Sequence, residues 1–180
     1  MVYVFLANGF EETEAIAPID IMRRAGLEVC TVGVGGETAK STHGINVVCD
    51  MAEDKLSADS DFEAIVLPGG MPGTLNLENS EKVQSFIDRA VKENKLIGAI
   101  CAAPSILGHK GILSGKKATC FPGFEEDLKG ADVKADGVCL DGNIITAKGA
   151  GVALDFGFEI VKYLVNDETA NKIKKTMQCK

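Results

Sequence analysis

The sequence predicts an α/β fold, a three-layer sandwich built on a mostly parallel sheet. Short runs of apolar β-formers alternate with helix-patterned segments from one end of the chain to the other. The runs are apolar on both pleats, as strands covered by helices on both faces must be. The 180 residues fit one domain, 1–180, with no linker-like stretch, low-complexity run or internal repeat.

Taken in order, Val2–Leu6 reads as a buried strand. Glu11–Arg24 reads as a helix on the spacing of Ile16, Ile19 and Met22, with Gly26 as its stop. Pro18 inside it should bend the helix or leave a carbonyl free. Leu27–Val34 is a second strand ended by Gly35-Gly36, and His43-Gly44 marks a turn before the short strand Ile45–Val48. Ala64–Leu67 is a strand that stops at Pro68-Gly69-Gly70. Ser80–Glu93 is an amphipathic helix with Val83, Phe86, Ile87 and Val91 on one face. Leu96–Ile100 is a strand running straight into Cys101, after which Ala102–Leu107 resumes as a helix. Lys117–Phe121 is a short strand. Val138–Leu140 and Ile144–Ala147 form a hairpin around Asp141-Gly142-Asn143. A helix over Val152–Val165 and a polar tail helix follow.

Nineteen basic against 26 acidic side chains give a net charge of −7. That balance disfavours nucleic acid and anionic membrane, which are bound largely through basic surface. No apolar stretch reaches the roughly 18–20 residues that span a bilayer. The N-terminal run lacks a basic start and meets Asn8-Gly9 too soon for a signal sequence. The expected setting is a reducing cytoplasm in which the six cysteines stay free thiols. The two histidines, His43 and His109, stand without C-x-x-C or H-x-H pairing, so no metal site is expected. No phosphate loop or dinucleotide fingerprint is present, and no cofactor is expected.

Ligands of open α/β sheets bind at the carboxyl ends of the strands. Three loops leave strands there with unusual content: Asn8–Glu14, Pro68–Gly73 and Cys101–Pro104. A strand ending in Cys101 before small Ala102-Ala103 has the build of a nucleophile elbow, and a helix N-terminus would lower the thiol pKa. The same residue also fits a small buried thiol at the edge of the core. Gly69 and Gly70 could let backbone N–H groups approach an oxyanion, or simply make a tight turn. Glu11, Glu12 and Glu14 suit the first turn of a helix; one pointing inward could stay protonated beside a thiolate. Cys30 and Cys139 read as core thiols, while Cys49 follows a strand and Cys179 lies in the tail.

Together these loops resemble the DJ-one/ThiJ/PfpI superfamily, in its DJ-one branch. Ala7-Asn8-Gly9-Phe10-Glu11-Glu12-Thr13-Glu14 is similar to the family's A-x-G-x-E-E-x-E loop. Asp20–Gly26, Ile65-Val66-Leu67-Pro68-Gly69-Gly70 and Ala99-Ile100-Cys101-Ala102-Ala103-Pro104 follow at matching spacings. The resemblance implies a fold that is flavodoxin-like, or class I glutamine amidotransferase-like, and a homodimer. It implies that Cys101 is a reactive, low-pKa cysteine, that Glu14 hydrogen-bonds its sulfur, and that the Gly70 and Ala102 N–H groups hold an oxyanion. It places Phe121 where some members have a pocket histidine, His43 where an arginine is common, and Gly149-Ala150 at a Gly-Pro, with Cys120 nearby.

The implied activity is a cofactor-free, cysteine-dependent glyoxalase or deglycase acting on a small aldehyde or glycated substrate. A redox-sensing stress or chaperone protein is the alternative. A peptidase would need a histidine base, for which only His109, some two helical turns past Cys101, stands near in the chain.

Overall fold

In the computed structural model, which describes residues 1–179, eleven strands and six α-helices follow one another in the expected alternation. The strands are β1 (Val2–Ala7), β2 (Val29–Val34), β3 (Thr38–Lys40), β4 (Asn46–Val48), β5 (Met51–Ala52), β6 (Ala64–Leu67), β7 (Leu96–Ile100), β8 (Lys117–Ala118), β9 (Asp132–Val133), β10 (Val138–Asp141) and β11 (Ile144–Ala147). The helices are α1 (Glu12–Arg24), α2 (Gly73–Asn79), α3 (Glu81–Lys92), α4 (Pro104–His109), α5 (Ala153–Leu164) and α6 (Asp167–Thr176). One sheet of seven strands runs β10-β11-β7-β6-β1-β2-β5, parallel throughout except for β10. Strand order reverses direction between β1 and β6, so the crevice of the fold opens there.

Alternation along β1 builds the three layers. Tyr3, Phe5 and Ala7 face a core shared with α3 and α4, while Val2, Val4 and Leu6 face one shared with α1, α5 and α6. On the first face Tyr3, Phe5, Phe62 and Phe86 pack with ring centroids 5.3–6.3 Å apart. The Arg89 guanidinium lies over Phe62 and Phe86. On the second face Gly157 of α5 meets α1, where an added Cβ would sit 2.9 Å from the Cα of Pro18. Helix α1 therefore continues through Pro18, which is buried at this crossing.

Several local expectations change. Val91 is 46% exposed, and Ala90 takes its place on the buried face of α3. The strand expected over 117–121 ends at Ala118. The Thr119 N–H turns to the Thr146 hydroxyl, the Phe121 N–H bonds the Cys101 carbonyl, and Pro122 has no N–H for a ladder. The helix expected from Ala102 starts at Pro104, because Cys101 has φ +65° and breaks the helical path. Leu27 caps α1 through a bond to the Met22 carbonyl, which delays β2 to Val29. Helix α5 begins at Ala153 behind a 3-10 turn over Ala150–Val152. Among the described residues no helix is long and apolar enough to cross a membrane.

Truncating Phe86 should separate the core from its surface. Phe86→Ala should lower the unfolding free energy by about 3–5 kcal/mol, while Val91→Ala should change it by less than about 0.5 kcal/mol. Urea melts of the two variants check this.

Candidate active site

The three loops meet at the carboxyl edge of the sheet, over β1, β6 and β7. Cys101 continues β7: its N–H donates to the Ala147 carbonyl at 2.8 Å, and its carbonyl accepts from the Phe121 N–H at 2.8 Å. Pinned on both sides, the residue holds a positive φ that a side chain adopts only at a cost of order 1–3 kcal/mol. The sequence predicts a strand-to-helix elbow here; the structure places the sharp bend at Cys101 but follows it with a turn, and the helix starts at Pro104. The N–H groups of Gly70 and Ala102 and the Glu14 carboxyl all face Sγ.

Glu14 comes from the first turn of α1. The Glu11 carboxylate caps that turn, accepting the Glu14 N–H at 2.7 Å. The Glu14 side chain turns inward and is 1% exposed. Its Oε2 accepts the Gly69 N–H at 3.0 Å, and the Ala150 N–H faces the carboxyl and favours its charged form. Burial outweighs these donors and raises the Glu14 pKa from 4.5 to about 7.

Burial, and then the facing charge of Glu14, push the Cys101 thiol up to about 12, against the pull of the two N–H donors. The lowered thiol pKa expected from a helix N-terminus is therefore corrected. Helix α4 starts three residues later and has only six residues, so its dipole acts weakly on Sγ.

Gly69 does not serve as an oxyanion donor, since its N–H is taken by Glu14. Its role is steric. An added Cβ would lie 2.6 Å from the Cys101 Cβ, 2.7 Å from Glu14 Oε2 and 2.9 Å from the Ile100 carbonyl oxygen. Gly70 has φ +90°, and an added Cβ would lie 2.5 Å from the Glu11 nitrogen and the Gly9 oxygen. That conformation and that closeness leave room for glycine alone, which brings the Gly70 N–H under Cys101.

Beside the pair lies an open cavity of about 370 Å³ with walls almost entirely of carbon. Phe121 and Pro122 form one side, and Lys148, Gly149, Ala150, Gly151 and Val152 the other. Gly149 links cavity and pair, for an added Cβ there would lie 3.3 Å from the Phe121 ring and 3.8 Å from Glu14 Oε1. The sequence reading does not name Pro122, Lys148, Gly151 and Val152 as pocket residues. For the last three, only the loop's position after β11 signals them.

Two other expectations do not join the site. Cys120 is 3% exposed and belongs to the core shared with α3 and α4, away from the cavity lining. Burial raises its thiol to about 11. His43 is exposed and bonds Glu12 and Thr42. His109 bridges Glu78 and Asp127 through both ring nitrogens, so neither is free to serve Cys101 as a base.

The sequence agrees with this geometry. A model of the DJ-1/PfpI family matches residues 1–163. The chain belongs to the DJ-1/PfpI family. It is 35% identical over 175 residues to Drosophila melanogaster protein dj-1beta, covering 96% of this chain and 93% of the relative. It is also 35% identical to Arabidopsis thaliana protein DJ-1 homolog B, over 96% of this chain, and there spans only 40% of the relative's length. A Caenorhabditis elegans relative, glutathione-independent glyoxalase DJR-1.2, is 32% identical over 93% of this chain and 89% of its own. Among solved structures, Drosophila DJ-1beta superposes with a TM-score of 0.94 at 33% identity, covering 99% and 97% of the two chains. Oxidized Toxoplasma gondii DJ-1 gives 0.95 at 32%, with the same coverage.

The raised carboxyl pKa in this DJ-1/PfpI site has a consequence for stability. Glu14 is protonated more readily in the folded chain than in the unfolded one, so folding gains from its protonation below about pH 4.5. That gain is lost as the pH rises through 7. Relative to Glu14→Gln, the wild type should lose about 3 kcal/mol between about pH 4 and pH 8. Paired denaturation curves at the two pH values measure the difference.

Proposed function

We propose that this protein is a cofactor-free, cysteine-dependent enzyme that converts 2-oxoaldehydes, or their early adducts, into 2-hydroxy acids. The observation that carries the reading is the buried Glu14 carboxyl, with a pKa of about 7, facing the Cys101 thiol. A base poised near neutrality takes the thiol proton as sulfur attacks, so the resting thiol need not be ionised. Sγ bonds the aldehyde carbon and gives a hemithioacetal, whose oxygen is held by the Gly70 and Ala102 N–H groups. Glu14 returns the thiol proton to that oxygen, then carries the hydrogen of the aldehyde carbon to the neighbouring carbonyl carbon, while the hydroxyl proton passes to the neighbouring carbonyl oxygen. The aldehyde carbon is oxidised to a thioester and the ketone reduced to an alcohol, with no outside electron acceptor. Water cleaves the thioester, releasing the hydroxy acid and restoring the thiol. That a family relative is named a glutathione-independent glyoxalase supports this chemistry.

With methylglyoxal, the wild type should produce lactate and Cys101→Ser should not. Glu14→Gln should lower kcat by about 10²–10⁴. Because the ionised carboxylate is the base, kcat/KM should rise with pH through about 7 in the wild type and lose that step in Glu14→Gln. Lactate production equal in the wild type and Cys101→Ser overturns the reading.

A second reading, redox sensing, is favoured by one contrast. Cys101 is partly exposed and its sulfur faces two N–H donors, while Cys30, Cys49, Cys120 and Cys139 are buried. Mild peroxide should then add two oxygens to Cys101 and leave those four untouched, as mass spectrometry of peptides would show. Oxidation spread equally over all five removes this reading.

A further inference from the structure

We propose that the cavity beside Cys101 selects 2-oxoaldehydes whose second substituent is apolar and about the size of an aromatic ring, with Phe121 setting the preference. This rests on the aldehyde chemistry above and names its substrate class. The cavity is placed to receive that substituent. With the aldehyde carbon at Sγ, the neighbouring carbonyl carbon lies toward Glu14. From there Gly149, lacking a side chain, leaves the way open to the cavity.

Size argues for a ring. An apolar cavity of about 150 Å³ suffices to bind benzene, and this one holds about 370 Å³. In this open cavity a ring would cover more of the carbon walls than the methyl of methylglyoxal does, and that extra coverage is favourable. Chemistry argues in the same direction. Phe121, Pro122, Ala150 and Val152 offer no donor side chain, and Lys148 adds almost no polar surface, so an anionic substituent would find no partner.

Phe121 is the wall that can discriminate. Its backbone is tied to Cys101 and to Phe124, which holds the ring beside Gly149, yet the residue is 47% exposed. A ligand ring stacked there would cover apolar surface that is otherwise wet.

The experiment compares kcat/KM for phenylglyoxal and methylglyoxal in the wild type, Phe121→Ala and Phe121→Leu. NMR titration with mandelate, the hydroxy acid that phenylglyoxal would yield, accompanies it. Phenylglyoxal should be preferred by the wild type by roughly tenfold or more. The preference should fall about tenfold in Phe121→Ala and be largely kept in Phe121→Leu. Mandelate should shift amide signals of residues 121 and 149–152.

Equal kcat/KM for the two aldehydes in the wild type, or an unchanged ratio in Phe121→Ala, overturns the proposal while leaving Cys101-dependent turnover of methylglyoxal intact. Mandelate shifts at 121 and 149–152 without turnover of either aldehyde would support the ring-sized cavity and overturn the enzymatic reading. Neither binding nor turnover overturns both.

Discussion

The site depends on a missing β-carbon. At Gly69 the chain passes so close to Cys101, Glu14 and the end of β7 that an added Cβ would lie under 3 Å from all three. This closeness lets a helix on one face of the sheet and a strand end in its middle deliver an acid and a thiol to one point. It also satisfies the acid, since the Gly69 N–H reaches Glu14 and leaves no buried oxygen orphaned. Any side chain at 69 would push Cys101 or Glu14 away, and the proposed chemistry needs them close.

Two further features follow from that contact. Once Glu14 is buried against sulfur, desolvation sets its pKa near 7, within the range in which a carboxyl can both take and return a proton. And once Cys101 is the residue beneath it, the elbow must hold φ +65°, an arrangement fixed by bonds to Ala147 on one side and Phe121 on the other. Those two bonds also position the Phe121 wall and the 148–152 segment. The strained residue thus ties the reactive pair to the cavity beside it.

Much of this was legible in the sequence. The bounds of β6, β7 and β11 were read to the residue, because apolar runs that end abruptly at Pro68, Cys101 and Lys148 leave no choice of boundary. Cys101, Glu14, Gly70 and Ala102 were named from loop position and resemblance, and they do converge. The misses share physical causes. Backbone donors carry no residue signature, so the use of the Gly69 and Ala150 N–H groups was invisible. Cys120 and Phe121 are neighbours in the chain, yet Cys120 is buried in the core and Phe121 stands half exposed on the cavity wall, a division that no periodicity signals outside a regular element. Strands as short as β3, β5 and β9 have too few residues to show a period.

The absence of a histidine beside Cys101 and the apolar character of the cavity are two sides of one environment. A histidine at position 121 would bring a polar, ionisable ring to the wall and supply a competing base. Phe121 instead presents carbon on the far side of Gly149, where the missing side chain leaves a gap between the ring and Glu14. That surface repels charged substituents and gains from covering by apolar ones. Under the proposed reading, position 121 bears both on the choice of substrate and on the surroundings of the base. A polar residue placed at 121 to admit a charged aldehyde would also bring polar surface toward Glu14, the base proposed to activate Cys101.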